Sequence, residues 1–304
     1  MRNRVHPLLR NLGLSGLLAG WLFASAATQA CTIFVLADTN RVLFCNNLDW
    51  KAVQTRIWFV PSEKHYGCAY VGLVYLGLSV SEGGFNSQGL AFAWIRDRPE
   101  KLLRRSEQKI VRGVPHERML ESCATLEQAI AFYTDHWEPA FRIGEMLVAD
   151  RTGAWAILNA RNGRLKVFRA TCAGGDGWGA PVLARMLPQN SEPTLTNAVQ
   201  ILYATRAGGK YATRYSDVFD SRAGNILLFL PGRSEPARFN LAEELKRGPH
   251  FYNMSKIDEQ RTTKPKRLSP LNEWVKTIYC PLRYSRPVPS QEPRAALRSP
   301  KYHP

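Results

Sequence analysis

The chain has 304 residues, 45% of them hydrophobic, and a formal net charge of +16. That length suits one large or two ordinary domains with a substantial buried core, in a composition ordinary for a globular protein. The six cysteines form no CxxC and the six histidines no HExxH, so neither a zinc ribbon, a thioredoxin-like motif nor a zincin site is signalled, and no metal or organic cofactor is expected.

The first thirty residues read as a secretory signal. "MRNRVHPLLRN" carries three arginines and no acid, "LGLSGLLAGWLFASAA" is an apolar run of about sixteen residues, and small residues follow up to Ala30. The run is short for a membrane span, although an uncleaved N-terminal anchor is the alternative, and no later stretch reaches spanning length. The expected product is exported, periplasmic or secreted. Without the three arginines of that segment, 38 basic residues face 25 acidic ones.

Strand signals open the body. "TIFVLA" and "RVLFCNNLDW" are β-rich runs joined by the turn "DTN"; "RIWFVP", "CAYVGLVYLGLSV" and "LAFAWI" continue the pattern, with "EGGFNSQG" read as a glycine-rich turn. "TLEQAIAFYTDHW" predicts a helix, with Thr125 and Gln128 as a capping box and Pro139 just beyond. "EMLVADRTGAWAILNARNGRLKVFRA" predicts three strands turning at "DRTG" and "ARNG". Helices follow at "APVLARML" and "TLTNAVQILYATRAGG", then a hairpin at "YSDVFDSRAGNILLFLPG" and a short helix at "NLAEELKRG" capped by Asn240. Strands and helices alternate in blocks, which predicts an α+β fold of antiparallel sheets covered by helices. From Arg261 to Pro304 the chain holds ten Lys/Arg, two Glu and eight prolines, the pattern of a basic Pro-rich tail. Only "LNEWVKTIYCPL" within it looks able to dock. Such a tail allows weak contact with a polyanion; no nucleic-acid partner is expected, and a homo-oligomer stays open.

Cleavage after Ala30 would make Cys31 the first residue, at the start of a strand. An N-terminal cysteine holds nucleophile and general base together, because the α-amine titrates near 8 and the thiol near 8.5. The amine takes the thiol proton, the thiolate attacks a carbonyl, and the ammonium protonates the leaving nitrogen. Such a site also needs a group to orient the amine, and Asp49, at the end of the neighbouring strand, is placed for it. Two other fates compete for Cys31. Lipid modification wants a leucine-like residue three before the cysteine, where this chain has Thr28; a disulfide would follow cleavage upstream, for instance after Ala26. Asp49 could also be a plain strand-end residue, and Cys45 and Trp50 read as core.

"CTIFVL…LFCNNLDW" resembles the opening of the choloylglycine hydrolase and penicillin V acylase group, linear amide C–N hydrolases of the N-terminal nucleophile superfamily. "GGFNSQGLAFAW", "YATRYSDVFDSRAGNILLF" and "FNLAEELKRGPHFYNM" resemble later segments of that group, so the likeness runs from Cys31 to about Ile257. It implies a four-layer αββα sandwich over residues 31–260, between a signal peptide at 1–30 and the tail at 261–304. It further implies Cys31 as nucleophile, Asp49 as holder of the α-amine and Asn47 as the asparagine of the cluster. Asn46 stands where many relatives have arginine, and a neutral amide neither lowers a thiol pKa nor grips a carboxylate as guanidinium does. In "RATCAGGDGW", Cys172 falls where relatives place an active-site asparagine. Arg185 lies near a functional arginine of bile-salt hydrolases, and Asn86 is a polar candidate near the pocket or a loop-shaping residue. The expected activity is hydrolysis of a small-molecule N-acyl amide with an apolar acyl group, through a thioester. Conjugated bile acids, phenoxyacyl penicillins, N-acyl amino acids and N-acyl-homoserine lactones are candidates. The alternative is a catalytically degenerate binding protein on the same fold.

Overall fold

The computed structural model describes residues 31–97, 100–263 and 266–268. The signal segment 1–30, the dockable segment 271–282 and Cys280 lie outside the described residues. In chain order the elements are β1 (Thr32–Ala37), β2 (Val42–Asp49), β3 (Thr55–Val60), β4 (Cys68–Tyr75), β5 (Leu78–Asn86), β6 (Ala91–Arg96), α1 (Pro115–Ser122) and α2 (Leu126–Asp135). There follow β7 (Gly144–Ala149), β8 (Trp155–Arg161), β9 (Arg164–Ala170), β10 (Gly174–Gly177), α3 (Ala180–Met186) and α4 (Leu195–Ala204). The last are β11 (Thr213–Asp220), β12 (Asn225–Phe229), β13 (Ala237–Asn240), α5 (Leu241–Leu245), β14 (His250–Asn253), α6 (Ile257–Thr262) and β15 (Lys266–Arg267).

Two sheets result. One has the order β10-β1-β2-β11-β12-β13, the other β15-β14-β3-β4-β5-β6-β7-β8-β9. Ile33, Val35 and Phe44 of the first meet Ile57, Val71 and Leu147 of the second in the central layer. Phe34, Leu36 and Cys45 point the other way, onto Leu183, Ile201 and Leu202 of α3 and α4. On the far side Tyr70 and Phe92 pack on Met119, Leu120 and Tyr133 of α1 and α2. The expected αββα sandwich is therefore what forms. Because β1 and β2 are covered on both faces, β1 and the first half of β2 are apolar runs with no polar alternation.

Local signals act as read at the starts of α2 and α5, and Thr194 caps α4 in the same way. Thr125, Thr194 and Asn240 accept from the backbone N–H groups of Gln128, Asn197 and Glu243. Elsewhere packing overrules them. "EGGFN" is strand, not turn: a Cβ on Gly84 would come within 2.8 to 2.9 Å of Leu120, Phe92 and Tyr70 side chains, so that glycine serves close packing. "CAYVGLVYLGLSV" breaks into β4 and β5 at Leu76-Gly77, both with positive φ. Helix α1 was not expected, since its buried face includes His116 and Glu117 and hides the apolar period. Nor was β10, a four-residue strand with three glycines that exists by pairing with β1. Helix α6 spans the boundary expected at residue 260. Among the described residues no helix is long and apolar enough to cross a membrane, and the five described cysteines are free thiols.

Candidate active site at Cys31

Cys31 stands at the head of β1 and is 6% exposed. Its carbonyl accepts from the Trp178 N–H at 3.1 Å, and the Gly179 N–H donates to Thr32 Oγ1 at 2.9 Å, which ties this strand end to the chain leaving β10. Gly177, opposite Thr32, has φ +119°, and a Cβ there would fall 2.0 Å from the Cys31 carbonyl oxygen. Only glycine lets the edge strand lie this close.

Asp49 ends β2 beside it. Its Oδ1 accepts from the Thr213 hydroxyl at 2.6 Å, and the Ala207 N–H also bonds to the carboxylate. The register of β11 against β2 slips between Thr213 and Tyr215, leaving Arg214 as the extra residue; Thr213 thereby faces Asp49, and Arg214 Nε donates to the Trp50 carbonyl at 2.7 Å. Burial pushes the Asp49 carboxyl up to about 7, against the pull of its two donors. Its Oδ2 has no partner among the described residues. The Cys31 thiol is pushed far above its ordinary range by burial first and by the Asp49 charge second, while the Asp49 backbone N–H pulls it down.

Both residues line a small, partly open cleft with a cavity volume of about 50 Å³. Its walls are largely apolar, from Leu48, Trp50, Trp94, Ile95, Ala140 and Ile143, and its charged members are Asp49, Glu82 and Arg96. Trp50, read from sequence as core, is half-buried and faces this space. The indole N–H groups of Trp50 and Trp94 have no acceptor among the described residues.

Behind Cys31 lies a buried polar pair. Asn46 Nδ2 donates to Asp217 Oδ2 at 2.8 Å across β2 and β11. Burial pushes the Asp217 carboxyl up to about 7, against the amide donor. Tyr215, fully buried with an unpartnered hydroxyl, lies within electrostatic reach of Cys31, Glu82 and Asp217.

The remaining sequence candidates fall elsewhere. Asn47 is on the helix side of β2, donating to the Leu202 carbonyl and to Thr205 Oγ1, both at 2.9 Å, so it pins β2 to the end of α4. Asn86 donates to the Leu120 and Cys123 carbonyls and accepts from the Gln88 and Leu90 N–H groups, the bonding of a loop-shaping residue. Arg185 is exposed in the last turn of α3 and does not line the cleft. Cys172 is exposed and precedes β10 at the end remote from Cys31, since Val35 pairs with Gly174 and Thr32 with Gly177. The residues of this edge that lie beside Cys31 are Gly177 and Trp178. Sequence reading missed Glu82, Thr213 and Asp217, whose roles depend on strand slips that no local pattern announces. Among the described residues no group of three or more His, Cys, Asp or Glu is placed to hold a metal.

No family model and no curated protein matches the chain. Solved structures do. A mutant of conjugated bile acid hydrolase from Clostridium perfringens matches with TM-score 0.58 at 12% identity over 74% of this chain and 96% of that one. A second variant of the same hydrolase gives 0.59 at 12%, over 79% and 98%. Penicillin V acylase from Agrobacterium tumefaciens gives 0.52 at 13%, over 77% and 89%. The chain has their fold. The resemblance carried by "CTIFVL…LFCNNLDW" is matched by this architecture.

Proposed function

We propose that the protein is an exported amide hydrolase that loses residues 1–30 and uses Cys31 to cleave the C–N bond of a linear N-acyl amide. The observation that carries this reading is Cys31 at the head of β1, against Asp49 and in the wall of an apolar cleft. The fold shared with a bile acid hydrolase and a penicillin acylase supports it. With the α-amine free, the unpartnered Asp49 Oδ2 is the acceptor that holds it beside the thiol. The thiol proton passes to the amine, sulfur attacks the acyl carbon, and the C–N bond breaks as the ammonium returns a proton to the leaving nitrogen. Water then attacks the thioester, its proton taken by the amine and its hydroxyl kept by the acid product; the C–S bond breaks and the Cys31 sulfur recovers that proton from the ammonium. Asn86 has both amide hydrogens on backbone carbonyls and is not free to donate to the oxyanion; the indole N–H groups of Trp50 and Trp94 are donors of the lining with no partner among the described residues. The apolar walls suit an aromatic or aliphatic acyl group.

Intact mass of the exported protein, with and without thiol alkylation, tests the first step. A chain beginning at an alkylatable Cys31 is expected. Residues retained ahead of Cys31, or a lipid or disulfide on it, would refute the reading and favour a binding protein on this fold. In an enzyme, Cys31→Ser should lower turnover of an N-acyl amide by at least about a hundredfold, the scale on which loss of a nucleophile acts.

A further inference from the structure

A second cavity, of about 520 Å³ against about 50 Å³ at Cys31, shares no lining residue with that cleft among the described residues. It lies where the helix layer gives way to loop. Helix α1 packs on β5 and α2 on β7, whereas Leu165 and Val167 of β9, on the same face of the sheet, look across the cavity to the chain segment 102–108. That segment is fastened at both ends. Leu102 bridges to Gly163 in the β8–β9 turn, and the Leu103 N–H reaches the Gly163 carbonyl at 3.4 Å. At the other end the Gln108 side-chain amide donates to the Tyr133 carbonyl at 3.2 Å, and the Lys109 N–H to the Asp135 carbonyl at 2.8 Å, both in the last turn of α2. Between these fastenings the segment roofs a hollow within the ~300–1,000 Å³ range of sites for small organic molecules.

The walls are mainly apolar, from Leu102, Phe141, Leu165, Val167 and the rings of Tyr133 and Trp137. The charge they offer a ligand is one-sided. Glu138, the acid of the described lining, has a side chain only 1% exposed; its Oε1 accepts from the Ala140 N–H at 3.0 Å and its Oε2 lies 3.0 Å from His116 Nδ1, so both oxygens are engaged behind the wall. Arg105 and Arg164 are the arginines of the lining, and both are exposed at its mouth. Arg105 donates through Nη2 to the Thr134 carbonyl and holds Glu107 at 3.4 Å, but that ion pair stands in water, its partners 52% and 63% exposed, and is weak. Arg164 has no ion-pair partner among the described residues, and Arg161, opposite it in the β8–β9 hairpin, holds Asp97 and Glu100. Segment 100–109 carries four Lys/Arg and two Glu, and β9 three Lys/Arg and no acid. An anionic group at this mouth is complementary, and an apolar body behind it matches the walls.

We propose that this cavity is a binding site for a molecule of the fatty-acid class, its chain against Leu165, Val167 and Phe141 and its carboxylate at Arg105 and Arg164. The site stands apart from the hydrolase reading and does not depend on it. The test measures decanoate and 1-decanol on the full exported protein by calorimetry at neutral pH, where the acid is ionised. Decanoate should bind at least about tenfold more tightly than the alcohol, by a margin that shrinks as salt is added. A double variant, Arg105→Gln with Arg164→Gln, should bring that ratio near one. Val167→Trp, which fills the hollow, should weaken both ligands at least about tenfold, with melting curves confirming that each variant folds. If Val167→Trp does not fold, Leu102→Trp fills the hollow from the roof; if neither folds, the double arginine variant decides. No binding of decanoate, equal binding of the alcohol, a ratio unmoved in the double arginine variant, or full binding in a folded Val167→Trp protein would overturn the proposal.

Discussion

Replacing Asp217 by asparagine should stabilise the protein, and more so at alkaline pH. The carboxyl is fully buried, its Oδ2 accepts from Asn46, and its pKa rises from 3.8 to about 7. The folded state thus holds this proton more tightly than the unfolded chain does. The resulting penalty on the fold is absent below pH 3.8, grows as the pH climbs towards 7, and is complete above it. Linkage puts it at about 2 kcal/mol at pH 5 and about 4 kcal/mol at pH 8. Asparagine keeps an acceptor for Asn46 and removes the ionisation, and any change in that hydrogen bond is the same at both pH values. For a fold of this size the extra gain of about 2 kcal/mol corresponds to roughly 4–8 °C in Tm. Scanning calorimetry of both proteins at pH 5 and pH 8 reads the difference directly. An equal Tm change at the two pH values would refute the assignment of a titrating carboxyl to this buried layer.

Thr213→Val removes a donor from Asp49, so its carboxyl should titrate above about 7 and the acidic limb of the kcat/KM profile should move to higher pH. The Ala207 N–H loses the Thr213 oxygen and keeps only the Asp49 carboxylate, and a fall in stability of about 1–3 kcal/mol should appear in denaturant melts; an unmoved acidic limb would separate Asp49 from the chemistry. Gly177→Ala places a Cβ 2.0 Å from the Cys31 carbonyl on a backbone with φ +119°. Stability should drop by at least about 2 kcal/mol and alkylation of Cys31 should change in rate, whereas Gly208→Ala, with open space around it and an extended backbone, should do neither.

The sequence by itself determined the layers. Runs such as "TIFVLA" and "VLFC" are apolar on both faces and suit a strand covered twice, while Thr125 and Asn240 mark helix starts that form as read. It also brought Cys31 and Asp49 together, because two strands joined by a short turn must lie side by side. What it left undecided depends on register and bulges. Asn47 and Asn46 are sequence neighbours on opposite faces of β2, one spent on α4 and the other on Asp217. Cys172 and Gly177 are five residues apart, yet only the pairing of β10 with β1 shows which lies beside the nucleophile. Glu82 sits in a glycine-rich stretch that reads as a turn and becomes a strand only when α1 and β6 pack against it. Side-chain period is a local property and was legible; which residue interrupts that period is settled by contacts made across the sheets, and those exist only once the chain has folded.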